Sequence, residues 1–290
     1  MRSNEIRRAL CAIGMLLTLA LPAQQPSSGQ KIIKDQAEYN AYMAALNTPD
    51  AAARAGALEA FVEQYPQSVV LADALEQEMA AWQAAGETAE VKKAAKRLLA
   101  IDQGNVRVLG VVVALDRVSA MQGDQAALSE MCLDATGGVR EVPMWHKPAN
   151  MADTDFATLS KLMKAIFVGA EGFCAVEQKN YSQAKDWLAQ ALEIDSTNAQ
   201  DTYELARADL ETSPQDANGF WYCARAIHLA RSAAIPQDAS EMAAYCRAKY
   251  AAYHGGEDGW DAVLAAVALE DALPRDFAKQ IEAAGAAKGK

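Results

Sequence analysis

The chain lacks the short signatures that announce a reaction. Its three histidines, His146, His228 and His254, are scattered. No HExxH places two of them one helical turn apart, as a helical zinc site needs. A GxSxG turn is missing, and with it the exposed serine of a nucleophile elbow. There is no Walker-type phosphate loop and no GxGxxG for a dinucleotide. Five cysteines include no CxxC, so neither dithiol exchange nor a zinc ribbon has its ligands. Carboxylates are abundant, but no pair of them has a spacing specific enough to nominate. No catalytic residue, metal ligand or cofactor is therefore assigned, and the chain is read as a non-enzyme. Positive charge is also short: 27 Lys and Arg against 38 Asp and Glu give a net charge of −11. That balance argues against nucleic acid or an anionic membrane as the main partner; its simplest role is to keep the protein soluble. With only 9 prolines and 17 glycines in 290 residues, breaks are few, and the alanine-rich body is expected to be almost entirely helical.

The amino terminus has its own logic. Arg2, Arg7 and Arg8 precede an apolar run from Ala9 to Leu21, and Leu21-Pro22-Ala23 leads into a polar stretch. A basic head, a short apolar centre and a small residue before a polar start form the pattern of a secretory signal, with cleavage expected after Ala23. The run is shorter than the roughly 20 residues a membrane span needs, so no stable membrane insertion is expected after cleavage. The competing reading is an uncleaved anchor. Removing residues 1–23 takes away three arginines and Glu5, leaving 24 basic and 37 acidic residues, a net −13. Residues 24–34 read as a disordered linker, and a periplasmic or secreted location follows.

From there apolar residues recur at helical spacing. Helices are expected over 35–46, 51–65, 69–85, 88–101, 106–121 and 125–135. The central GVVVAL of the 106–121 segment is rich in β-branched residues, which makes a strand its rival. Residues 136–153, with Gly137, Gly138, Pro143, Pro148 and the cluster Met144-Trp145-His146-Lys147, read as a long loop between two helical groups. Thr154 is expected to cap the helix that follows. Further helices are expected over 201–210, 219–233, 238–253 and 259–269, with a break at Pro236, a terminal cap from Pro274 and a frayed tail over 286–290. The turn Asp102-Gln103-Gly104-Asn105 is echoed by Asp195-Ser196-Thr197-Asn198, 93 residues later by subtraction of 102 from 195.

The clearest unit is Ala165 to Asn198, two amphipathic patterns joined at Gln178-Lys179-Asn180. At about 34 residues it has the period of a tetratricopeptide repeat. Gly172, Ala184 and Ala191 are small where two helices of such a hairpin touch, Leu188 is the apolar plug between them, and Tyr181 opens the second helix. On these residues the unit resembles a tetratricopeptide repeat, with Ser196 and Ala175 standing where that repeat usually has Pro and Tyr. The ending Phe61-Val62-Glu63-Gln64-Tyr65-Pro66-Gln67-Ser68 is similar to repeat ends in periplasmic assembly proteins of this class. The resemblance covers 165–198, extends over the N-terminal repeats at 35–135 and runs on over 199–270, within a C-terminal region of repeats and capping helices at 154–285. It implies an all-α, right-handed α-solenoid of about six hairpins, where about three suffice for a stable stack. It also implies an exported scaffold that binds a protein or peptide. On that analogy the inner face would present Phe173, Tyr203 and Arg207. Phe173 stands where stacks that grip peptide carboxyl ends carry Asn, so that chaperone-type role is not expected.

Two further features bear on function. Trp145 and its neighbours suit a contact surface, since concentrated binding energy comes from such aromatics; the competing reading is an aromatic folded back over helix ends. A related alternative is a helical-repeat enzyme or small-ligand binder that closes Trp145 and His146 over a pocket. The four cysteines after the signal, Cys132, Cys174, Cys223 and Cys246, allow three pairings. Cys223 and Cys246, on successive helices, are the pair the order of elements singles out. Against any pairing stands the tendency of free thiols to sit buried as small apolar groups.

Overall fold

The computed structural model describes residues 31–148 and 151–281. The expected signal segment, most of the linker and the extreme carboxyl tail lie outside them. Among the described residues thirteen α-helices and one 3-10 turn make up the regular structure, with no strand. They fall into two compact units divided between Phe167 and Val168.

The first unit holds α1 (Gln36–Leu46), α2 (Ala51–Gln64), α3 (Leu71–Ala85), α4 (Thr88–Ile101), α5 (Val106–Met121), α6 (Gln125–Glu141), a 3-10 turn (Val142–Met144) and the start of α7 (Asp153–Glu177). From α1 to α6 each helix packs on the next. Polar caps set the starts: the side chains of Asp35, Asp50, Asn105 and Asp124 accept amide hydrogen bonds from the first turns of α1, α2, α5 and α6. Gly86, at φ +80°, ends α3 in the left-handed region.

The β-branched run is helical. Val106, Val108, Leu109, Val111, Val112, Val113 and Leu115 are all buried, so α5 is enclosed on nearly every side and burial outweighs its weak propensity. Gly110 lets it approach α7: a Cβ there would lie 2.5 Å from the Met163 sulfur. The expected loop at 136–153 is a correction. Its first part continues α6 to Glu141, because Gly137 and Gly138 are helical rather than turns. Gly138 makes room for the Phe167 ring, whose nearest carbons would lie 2.3 Å from an added Cβ. Helix α7 starts at Asp153, so Thr154 lies inside its first turn instead of capping it; the Thr154 carbonyl accepts from the Thr158 hydroxyl at 2.9 Å.

The second unit holds the rest of α7, then α8 (Tyr181–Ile194), α9 (Ala199–Glu211), α10 (Gly219–Ser232), α11 (Pro236–His254), α12 (Trp260–Ala266) and α13 (Phe277–Gln280). Gly172 faces Leu188, whose Cγ would be 2.5 Å from an added Cβ. Ala184, Leu188 and Ala191 are buried around it, so the close approach expected of this hairpin is present. Pro236 is the first residue of α11 and not a break, a position where its missing N–H costs nothing. The last two helices are shorter than expected. The core here is aromatic: Phe220 packs edge-on against Tyr250, Trp221 against Phe277, and Tyr250 also meets Trp260. Cys223 and Cys246 form a disulfide between α10 and α11, with Cα atoms 5.8 Å apart. Cys132 and Cys174 are likewise oxidised rather than free, which sets aside the reading of four buried thiols.

The echoed turns coincide in detail. Asp102 and Asp195 end their helices with φ, ψ of −135°, 85° and −136°, 89°. Asn105 and Asn198 then cap the next helices, accepting from Val108 and Asp201 amides at 3.2 and 3.0 Å.

Candidate binding groove

The first unit carries a groove of about 270 Å³ lined by α3, the α4–α5 turn, the start of α5 and the segment after the 3-10 turn. Asp73 and Glu76 are three residues apart on α3 and so share one face. The turn supplies Asp102, Gly104 and Asn105, α5 supplies Val106 and Arg107, and Trp145 and Pro148 complete the wall. Gly104 lets the turn sit against α6: an added Cβ would be 3.2 Å from a Glu141 carboxylate oxygen.

Trp145 is half-buried and braced. Its ring meets Phe156 edge-on at 5.1 Å, and its amide donates to the Val142 carbonyl at 3.2 Å. Lys147 pairs with Asp153 at 2.5 Å, tying the segment to the start of α7; hydrogen bonding to Lys147 holds the Asp153 carboxyl below its usual range. The aromatic is folded back on one side and left facing the groove on the other. His146 is exposed and does not line the groove.

Three carboxylates face one guanidinium here, and they are not equally engaged. Glu76 lies 3.9 Å from Arg107 and 3.4 Å from the Asn105 amide nitrogen that donates to it. Asp73 accepts from the Lys31 ammonium through both oxygens, at 2.9 and 2.7 Å. Among the described residues Asp102 has no comparable cation. The negative field reaches Tyr42, whose phenol is pushed up to about 12, first by burial and then by Asp73 and Glu76.

The second unit treats its charges differently. Tyr203 and Arg207, one turn apart on α9, are brought together, but the Arg207 guanidinium and the Tyr203 ring are engaged within the unit. Arg207 donates to Glu204 at 2.8 Å and to Glu177 at 2.9 Å. Burial works against its charge, yet the two carboxylates hold its pKa above the ordinary value. Gln200 donates to the other oxygen of Glu204 at 2.7 Å. Tyr203 stacks edge-on against Tyr245 at 5.6 Å, and Tyr245 and Lys249 both converge on Glu211, at 2.9 and 2.6 Å. Phe173 is 3% exposed, which leaves almost none of its ring for a partner. Of the residues lining the groove only Trp145 is read from sequence as a contact; Asp102, Gly104 and Asn105 are read there as a turn, and Pro148 as part of a loop. The available signals were the Asp73–Glu76 spacing and the repeated turn at Asp102.

Among the described residues no group of His, Cys, Asp and Glu is placed to hold a metal ion, and no helix is long and apolar enough to cross a membrane. No family model and no curated protein matches the chain.

Proposed function

We propose that this chain is an exported scaffold of tetratricopeptide-like hairpins, stacked as a right-handed α-solenoid, that binds a protein or peptide in the periplasm or outside the cell. The groove walled by Trp145 carries this reading. It offers a braced aromatic beside incompletely paired carboxylates, the mixture that contact surfaces concentrate. Its volume lies below the roughly 300–1,000 Å³ of pockets that enclose whole small molecules, so it suits one side chain of a larger partner better than a complete substrate. The recurring turn and the Gly172–Leu188 approach support the repeat architecture. The Cys223–Cys246 disulfide supports export, since such bonds persist in oxidising compartments.

The test is cross-linking in the native envelope with the full chain tagged at its carboxyl end, followed by mapping of the linked lysines. One dominant partner, linked at Lys31 or Lys147 and lost in Trp145→Ala, is expected. A chain that captures nothing above background, or captures equally without Trp145, would overturn the reading.

A further inference from the structure

The groove already holds one cation at its edge. Lys31 belongs to the extended segment ahead of α1, and its ammonium straddles Asp73. Both partners are solvent-accessible, with side chains 45% and 34% exposed, and ion pairs of that kind are weak and readily exchanged. On the same groove Asp102, exposed at the end of α4, stands without such a partner among the described residues. The corresponding carboxylate in the second unit, Asp195, accepts from the Thr197 hydroxyl at 2.6 Å and its amide at 3.0 Å. In the groove the residue matching Thr197 is Gly104, which has no hydroxyl to offer. The substitution of glycine for threonine leaves the Asp102 carboxylate available beside the Trp145 face.

From these observations we propose that the groove receives a basic side chain, Lys or Arg, from an extended peptide segment of the partner, and that Lys31 is an intramolecular placeholder competing for the same carboxylates. A cation entering the groove meets Asp102 and Asp73 as acceptors, Glu76 already half-neutralised by Arg107, and the ring of Trp145 for its alkyl stem or charge. The chain's net charge of −11 favours the approach of a basic segment.

This inference rests on the binding reading above and is tested separately, by calorimetric titration of the full chain with the blocked pentapeptides Gly-Gly-Lys-Gly-Gly and Gly-Gly-Arg-Gly-Gly and their norleucine counterpart. The basic peptides are expected to bind and the norleucine peptide not. Lys31→Ala is expected to tighten binding about two- to five-fold by removing the competitor, and Asp102→Asn to weaken it by about five-fold or more. Asp102 is exposed at a helix end, so its variant keeps the fold, and circular dichroism checks this. Equal binding of the norleucine peptide, indifference to both Asp102→Asn and salt, or no binding to Lys31→Ala up to about 10 mM peptide would each overturn the inference. A partner still cross-linked at Lys147 under those outcomes would leave the broader binding reading standing.

Discussion

Two copies of one turn show how the two units diverge. Asp102 and Asp195 share backbone angles to within a few degrees, and the turns they open do the same structural work, ending one helix and capping the next. In the second unit Thr197 absorbs the aspartate. In the first, Gly104 leaves the aspartate facing a groove. The same contrast runs through each unit. The second is closed: Arg207 and Tyr245 are matched to internal carboxylates, its core is aromatic, and a disulfide joins two of its helices. The first has a mainly aliphatic core, with Phe61 and Phe167 its buried aromatics, and an opening where charges are partly matched. A shared local grammar thus engages its aspartate in one place and leaves it facing a groove in another.

The largest expected effect comes from removing the disulfide that joins two helices within the second unit. Cys223→Ala with Cys246→Ala, which opens a link of 23 residues' separation, is expected to cost about 3 kcal/mol. In urea unfolding the loss should appear in the second unit's transition while the peptide affinity of the first is unchanged. Next are the two helix contacts made by glycine. Gly138→Ala sets a Cβ into the flat, rigid Phe167 ring, whereas Gly172→Ala meets a Leu188 branch that can rotate. Both should destabilise, Gly138→Ala by about 2 kcal/mol and Gly172→Ala by less, after the roughly 1 kcal/mol that alanine returns in helix propensity. Thermal melts of the two variants rank them.

A smaller effect depends on pH. Glu78 is 1% exposed on α3, 3.5 Å from Arg97, with one oxygen lacking a hydrogen-bond partner. Burial, only partly offset by Arg97, pushes its carboxyl up to about 7 from 4.5. The folded state therefore holds this proton more tightly than the unfolded chain. Its contribution is fully present below about pH 4.5 and is lost as pH rises through about 7. Glu78→Gln is expected to raise stability at pH 8 by about 1–2 kcal/mol and to flatten the decline between pH 5 and 7, read from melts across that range. Smallest is Lys31→Ala: an exposed pair contributes at most about 0.5 kcal/mol, so its melting temperature should barely move while peptide affinity rises.

Much of the helical framework was legible because period and caps agree. Asp50, Asn105 and Asp124 cap helices that begin one residue later, and Gly172 with Leu188 marks a contact that only a small residue permits. The errors have one cause. Gly137-Gly138 and Pro236 read as breaks because local propensity says so, yet Gly138 is helical to admit a ring from 29 positions further on, by subtraction of 138 from 167, and Pro236 opens a helix. The groove was less legible still. Its lining joins α3, a turn and the Trp145 segment, which lie far apart in sequence, and a carboxylate is informative only once its neighbours are known. Phe173 and Arg207 show the converse: a pattern position can nominate a residue that packing or ion pairing has already engaged.

The most direct test assigns recognition to one unit. Titrating the isotope-labelled Lys31→Ala chain with the lysine pentapeptide, and following amide and indole resonances, should shift Asp73, Gly104, Asn105 and the Trp145 indole while Tyr203, Arg207 and their neighbours stay fixed. Shifts centred on Tyr203 and Arg207 would contradict the placement of cation recognition in the first unit's groove.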